Sequence, residues 1–135
     1  MVRLRRAVAV LVVLVLVLSF ATAAGAGKRK HPKGQVWRSK ITVVHPTPTQ
    51  FSGTVSSKLG ACRSQRLVTV FYTDPQTGQT QPVSVQRTTK DGRYLVNLTM
   101  PAYAGTYQAQ VSKQRIRARK APQTCKGAVS STLTV

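Results

Sequence analysis

The sequence predicts an all-β protein, a single β-sandwich of about six to seven strands with one inter-strand disulfide, preceded by a signal peptide. From residue 35 onward, short runs of alternating apolar and polar residues recur at intervals of about 10 to 15 residues. Turn-forming Pro, Gly and Asp residues separate these runs. In the same region no segment places apolar residues at helical spacing over three turns. These observations favour strands over helices.

The first two strands are predicted from residue type and alternation. Residues 37–44 are rich in β-branched side chains, and the two prolines of residues 45–48 are expected to end strand pairing there. Residues 51–56 alternate apolar and polar side chains, which places Phe51 and Val55 on a buried face.

The middle of the chain predicts a central strand followed by a turn. Residues 66–72 are nearly all apolar, as in a strand covered on both faces. At residues 74–78, Asp74 is expected to bond the backbone amides ahead of it, and Gly78 to take a positive φ.

Further alternating runs complete the strand pattern. The segment around Val83 and Val85 leads to Asp91-Gly92, which predicts a hairpin turn into a strand with Tyr94, Val96 and Leu98 on one face. Residues 106–111 predict the next strand, and residues 128–135 the last. The residues expected to share a face are Tyr107, Ala109 and Val111 in the former strand, and Val129, Leu133 and Val135 in the latter.

The amino terminus predicts export. Three arginines precede the uncharged run of residues 7–20, and small residues at signal-peptidase spacing follow it, so residues 1–24 are interpreted as a signal peptide. An uncleaved anchor is the alternative, since an apolar stretch of about 20 residues can span a bilayer. Residues 25–35 are predicted to form a flexible basic arm, and residues 36–135 the β-sandwich domain. The mature protein is expected to be secreted, or held at the cell envelope.

Cys62 and Cys125 are the only cysteines. In an oxidising compartment they predict one disulfide. Its loop of about 63 residues would contribute roughly 4 kcal/mol in the chain-entropy model. Two free thiols are the alternative if the protein stays in the cytosol.

Three short fragments carry a family resemblance: residues 52–55 (SGTV), residues 89–94 (TKDGRY) and residues 105–107 (GTY). In this order they resemble the prealbumin-like sandwiches, meaning the transthyretin-like or carboxypeptidase-regulatory-like domains. They also look like the small secreted immunoglobulin-like domains of exported Gram-positive, especially actinobacterial, proteins. The similarity extends over about residues 50–135. It implies a stalk, spacer or adhesion module.

The composition argues against an enzyme. The chain has 21 Lys and Arg residues, only 2 acidic residues and no Glu, for a formal charge of +19. Paired-carboxylate hydrolysis, calcium cages and two-metal phosphoryl transfer would all depend on Asp74 and Asp91. His31 and His45 each precede a proline and are expected to be exposed linker residues. We therefore expect no catalytic residues, no metal site and no cofactor.

Residues 113–120 form the strongest candidate for binding. If this segment is extended, three arginines project from one face at intervals of about 6.6 Å, and such a ladder can engage phosphates or carboxylates bidentately. The predicted anion-binding residues are Arg115, Arg117, Arg119, Lys113 and Lys120, with Lys28, Arg29 and Lys30 on the amino-terminal arm.

The expected function is electrostatic binding of a non-enzymatic secreted β-sandwich to anionic cell-envelope polymers or acidic extracellular partners. One alternative is a structural or protein-interaction module whose charge serves only solubility, with cations that guard an exposed strand edge. A weak nucleic-acid binder is a further alternative that is not favoured, because too few aromatic residues remain outside the predicted core to stack on bases. Contact with a membrane is expected only through the signal peptide.

Overall fold

A computed structural model describes residues 34–135, and these residues form an all-β structure, as predicted. The predicted signal peptide and Lys28, Arg29 and Lys30 lie outside the described residues. Among the described residues, no helix is long and apolar enough to cross a membrane. The strands are β1 (Gln35–Trp37), β2 (Ser39–Ile41), β3 (Val44–Thr47), β4 (Gln50–Ser57), β5 (Leu67–Thr73), β6 (Thr80–Arg87), β7 (Arg93–Asn97), β8 (Thr106–Val111), β9 (Gln114–Ile116), β10 (Gln123–Cys125), β11 (Ala128–Val129) and β12 (Leu133–Thr134).

Two sheets enclose the core. In the first sheet, β4 is central, with β2 and β3 in succession along one edge and β7 on the other. The second sheet has the order β11-β8-β5-β6, and β12 also pairs with β8. Phe51, Val55 and Val96 from the first sheet and Val68, Val70 and Tyr107 from the second are almost fully buried and belong to one apolar cluster. The alternation predicted for residues 51–56 and 106–111 is thereby confirmed.

A third, small sheet has the order β1-β10-β9, with β1 parallel to β10. Cys125, at the end of β10, forms the predicted disulfide with Cys62 in a 3-10 turn (Gly60–Cys62) between β4 and β5. The bond joins the small sheet to the connection between the two large sheets.

The predicted strand over residues 37–44 is divided, and pairing continues through the first proline. β2 ends at Ile41 and β3 runs from Val44 to Thr47, which includes Pro46. The register of β3 against β4 shifts between Val44 and Thr47. Proline is tolerated there because β3 is an edge strand and the irregular pairing does not require an N–H from every residue.

The strand over residues 66–72 is central, as predicted, but it is covered on one face only. β5 begins at Leu67, and its residues alternate between a buried face and a partly exposed face. Leu67 is 39% exposed, whereas Val68 and Val70 are fully buried. The apolar run predicted burial on both sides, but the outer face of this sheet lies open to solvent. Arg66 precedes the strand and points inward.

The turn at Asp91-Gly92 forms, but the strands beside it do not pair as a hairpin. The Gly92 N–H donates to Thr89 O at 3.0 Å, and the Thr89 N–H donates to Arg93 O at 2.8 Å. However, β6 pairs with β5 and β7 pairs with β4, so the turn leads from one sheet to the other. A bulge in β6 also breaks the expected alternation, and Val85 lies 51% exposed.

The last predicted strand is interrupted at Ser130. The Ser130 N–H donates to Ala109 O at 2.8 Å, and the Ala109 N–H donates to Ser130 Oγ at 2.9 Å, where a regular ladder would supply a carbonyl. The chain therefore forms two short strands, β11 and β12. Val129 is 54% exposed and does not share the inner face with Leu133.

Candidate anion-binding surface

Residues 113–120 do not form one continuous strand. β9 ends at Ile116, and Ile116 pairs with Gln123, so residues 117–122 form the loop that returns the chain into β10. Strand spacing therefore applies to Arg115 but not to Arg117 or Arg119, and the regular ladder expected for an extended segment is absent. The five basic side chains of this segment are all exposed.

The distribution of all the Lys and Arg residues, including these five, is the most distinctive feature of the surface. Of the 21 Lys and Arg residues, seven lie within residues 1–33 and fourteen within the described residues. Arg66 is buried, and the other thirteen are exposed. The exposed cations are Arg38, Lys40, Lys58, Arg63, Arg87, Lys90, Arg93, Lys113, Arg115, Arg117, Arg119, Lys120 and Lys126.

The strand registers bring these thirteen cations to one end of the sandwich, which we call the basic end. Ser39 pairs with Ser57, Leu67 with Arg87, and Val68 with Val111, so the basic segments at 38–40, 58–66, 87–93 and 112–126 meet there. The Cys62–Cys125 disulfide lies at the same end. At the opposite, far end, the connections at residues 48–49, 74–79 and 98–105 contain no Lys or Arg.

Arg66 is buried within the basic end, and its side chain forms hydrogen bonds with four other residues there. Its side chain is fully buried, and its guanidinium donates to Cys62 O at 2.7 Å, to Ser39 Oγ and Lys126 O at 3.1 Å each, and to Ser112 O. Burial lowers the pKa of Arg66 by desolvation. The sequence pattern predicts Arg66 only as the first residue of a strand. The one available signal was a single cation directly before an apolar run.

Two neighbouring grooves lie along the first sheet, and the sequence pattern predicts neither of them. One has a volume of about 610 Å³ and is lined by residues that include Val44, Ser52, Thr54, Arg87, Arg93 and Leu95. The other has a volume of about 690 Å³ and is lined by Val36, Trp37, Arg38, Lys40, Ser56, Ser57 and Lys58. Each groove combines small hydroxyl side chains with cations. No single run of sequence supplies either set, because the residues come from several strands.

The few acidic and imidazole groups have local structural contacts. Asp74 accepts hydrogen bonds from the Gln76 and Thr77 N–H groups at 2.7 and 3.3 Å, which confirms it as a turn residue. His45 is not an exposed linker residue, because it is half-buried in β3 and stacks on Phe51 at a centroid distance of 4.7 Å. Within residues 34–135, no three His, Cys, Asp or Glu side chains come together as a metal site would require.

Comparisons with known proteins do not assign a family. No protein-family model matches the sequence, and no curated protein sequence matches it.

Proposed function

We propose that the protein is an exported, non-enzymatic β-sandwich that adheres through its basic end to anionic polymers of the cell envelope or to acidic extracellular partners. The observation that carries this proposal is that all thirteen exposed cations of residues 34–135 lie at one end of the fold. Like charges held together at one end repel one another, and a polyanion that neutralises them relieves this repulsion while gaining attraction.

The contact residues fall into two groups. Arg115, Arg117, Arg119, Lys113 and Lys120 lie on β9 and its adjoining segments, where guanidinium groups can bind carboxylates or phosphates bidentately. In the sequence, Lys28, Arg29 and Lys30 precede β1, whose last residue, Trp37, pairs with Cys125 at the basic end. These amino-terminal cations therefore enter the proposal as a second group of contacts.

Export and the family resemblance belong to the same proposal. A signal-peptide sequence at residues 1–24 and the disulfide are both typical of extracellular proteins. We place the domain among the exported immunoglobulin-like or prealbumin-like sandwiches. Two facing sheets, joined through the turn of the 89–94 fragment, support this placement.

The decisive experiment measures retention on anionic cell-wall material as a function of salt. The full chain is expressed in an exporting host, and the secreted product is applied at about 0.01 M and about 1 M salt, where the screening length falls from about 30 Å to about 3 Å. Retention is expected at low salt and release at high salt. The triple variant Arg115→Ser, Arg117→Ser and Arg119→Ser should elute at lower salt, and replacement of the same residues by Lys should restore most of the binding.

Two outcomes would contradict the proposal. Absence of retention at low salt would show that the basic end does not bind such polymers. Capture of a protein partner that persists at high salt would favour the alternative in which the charge serves only solubility.

A further inference from the structure

We infer that the two grooves along the outer face of β4 together form the main binding site for the polymer, which we call the track, and that this site binds a linear anionic glycan. This inference rests on the proposed function and deepens it, because it names the ligand class and the residues that select it. The two grooves described above are consecutive along β4, with Ser52 and Thr54 lining one and Ser56 and Ser57 lining the other.

The floor of the track consists of small hydroxyl side chains. Ser52, Thr54 and Ser56 alternate along β4 with the buried side chains of Phe51 and Val55, so they project from the outer face at intervals of about 6.6 Å. Ser52 is shorter than Val44 and Leu95 beside it, and Ser56 is shorter than Lys40, so the centre of the sheet forms a depression at these two positions. Between them, Thr54 lies beside Thr42, and their hydroxyl oxygens are 3.1 Å apart. Hydroxyl groups both donate and accept hydrogen bonds, as the hydroxyl groups of a sugar do.

The side chains that flank the floor, which we call the walls, are apolar at one end of the track and cationic at the other. Ser52 lies between Val44 and Leu95, which are 52% and 49% exposed. Such apolar walls suit the C–H faces of sugar rings. Further along, Arg93 pairs with Thr54 on one side, and Lys40 pairs with Ser56 on the other. Cations thus flank the hydroxyl floor on both sides.

More cations surround these two positions. Arg87 lines the groove that contains Arg93, and Arg38 and Lys58 line the groove that contains Lys40. A polymer lying along β4 therefore meets positive charge on both flanks, as a chain with repeated carboxylate, sulfate or phosphate groups requires.

The aromatic residues favour a glycan over a single-stranded nucleic acid. Tyr94 is only 4% exposed, and its hydroxyl donates to Thr42 O at 2.6 Å, so its ring is not available to stack on a base. Trp37, which is half-buried, is the other aromatic side chain that lines the two grooves. Successive bases need successive stacking platforms, and the floor of β4 provides hydroxyl groups instead.

The first test compares two variants that each remove two exposed positive charges from the basic end. Lys40→Ser with Arg93→Ser removes charges that flank the track. The matched control Lys126→Ser with Arg63→Ser also removes one exposed Lys and one exposed Arg, but from connections of the basic end that line neither groove. Alginate is the carboxylated probe, dextran sulfate is the sulfated probe, and neutral dextran is the uncharged reference. The track variant is expected to lose at least about tenfold in affinity for a charged glycan, and the control less than about threefold.

A second variant fills the track without changing its charge. Ser52→Gln with Ser56→Gln places longer neutral side chains on the floor and is expected to weaken glycan binding at least about tenfold at constant net charge. Thermal melting checks that this variant remains folded. Full affinity in a folded variant would overturn the track.

The remaining outcomes separate the track from the proposed function. Stronger binding of either charged glycan than of neutral dextran supports the inference, and the tighter of the two identifies the preferred anion. Equal losses in the two charge variants would overturn the track but leave adhesion by the basic end intact. Tighter binding of oligo-dT than of both charged glycans at equal salt would overturn the ligand class. If no polyanion binds at low salt, the proposed function itself fails.

Discussion

Replacement of Arg66 by methionine is expected to destabilise the protein by about 4 kcal/mol. The variant removes four hydrogen bonds from a buried guanidinium, and each bond to a charged group contributes about 1.5 to 3 kcal/mol net of desolvation. Because the acceptors at Ser39, Ser112 and Lys126 are only partly buried and can regain water, the expected loss lies well below the sum of four bonds. It remains a large fraction of the about 5 to 15 kcal/mol typical of a small domain.

Urea unfolding of the oxidised protein at neutral pH measures this loss as a lower midpoint with an unchanged slope. Arg63→Met is the matched control, because Arg63 carries the same charge in the same connection but its side chain is exposed. Its free energy of unfolding should change by no more than about 0.5 kcal/mol. An Arg66→Met variant within about 1 kcal/mol of the wild type would refute the role assigned to the guanidinium.

Three further predictions concern other parts of the fold. Replacing Cys62 and Cys125 by alanine should lower the free energy of unfolding by about 4 kcal/mol, and a variant that melts at the wild-type temperature would contradict this. Burial raises the pKa of Tyr94 above its usual value. The folded state therefore keeps a proton that the unfolded chain releases above about pH 10, so the free energy of unfolding should fall as the pH rises above about 10. Tyr94→Phe should cost about 1 kcal/mol at pH 7 but show a smaller fall in melting temperature from pH 9 to pH 11, and an unchanged fall would count against the mechanism. Gly53→Ala should destabilise the protein by about 2 kcal/mol or more, because the added Cβ would lie 2.0 Å from Thr42 O and 2.6 Å from the Tyr94 hydroxyl. The control Gly60→Ala should leave the melting temperature nearly unchanged, because its Cβ would meet only the flexible Arg63 side chain at 3.6 Å.

Local alternation and residue counting were enough to predict the fold class and part of the core. A period of two placed Phe51 and Val55 inside because β4 packs one face on a core and leaves the other open. The disulfide was predictable because the chain has only Cys62 and Cys125. Asp74 acts within three residues of itself, so its role as a turn residue was also visible in the sequence.

Features that depend on distant partners were not predictable in this way. The Asp91-Gly92 turn is determined locally, but the sheet that β7 joins depends on pairing with β4, some 40 residues earlier in the sequence. The inward position of Arg66 depends on carbonyl groups from three separate connections. A single sequence shows neither set of partners.

The same distinction applies to the candidate site. The sequence showed a basic cluster at residues 113–120, but Lys40 and Arg93 are far apart in the chain and flank the two grooves only because β2 and β7 both pair with β4. The cluster was visible in the sequence because its five charges fall within residues 113–120, whereas the proposed track depends on charges that only the sheet brings together.

The separation of charge between the two ends gives residues 34–135 a large electric dipole along the strand direction. In front of any negatively charged surface, this dipole produces a torque that turns the basic end towards the surface before contact is made. The far end then faces away from that surface, carrying Met100 and Tyr103, which are 57% and 62% exposed. A population of such molecules would form an oriented layer, with the 98–105 connection presented outward on every copy.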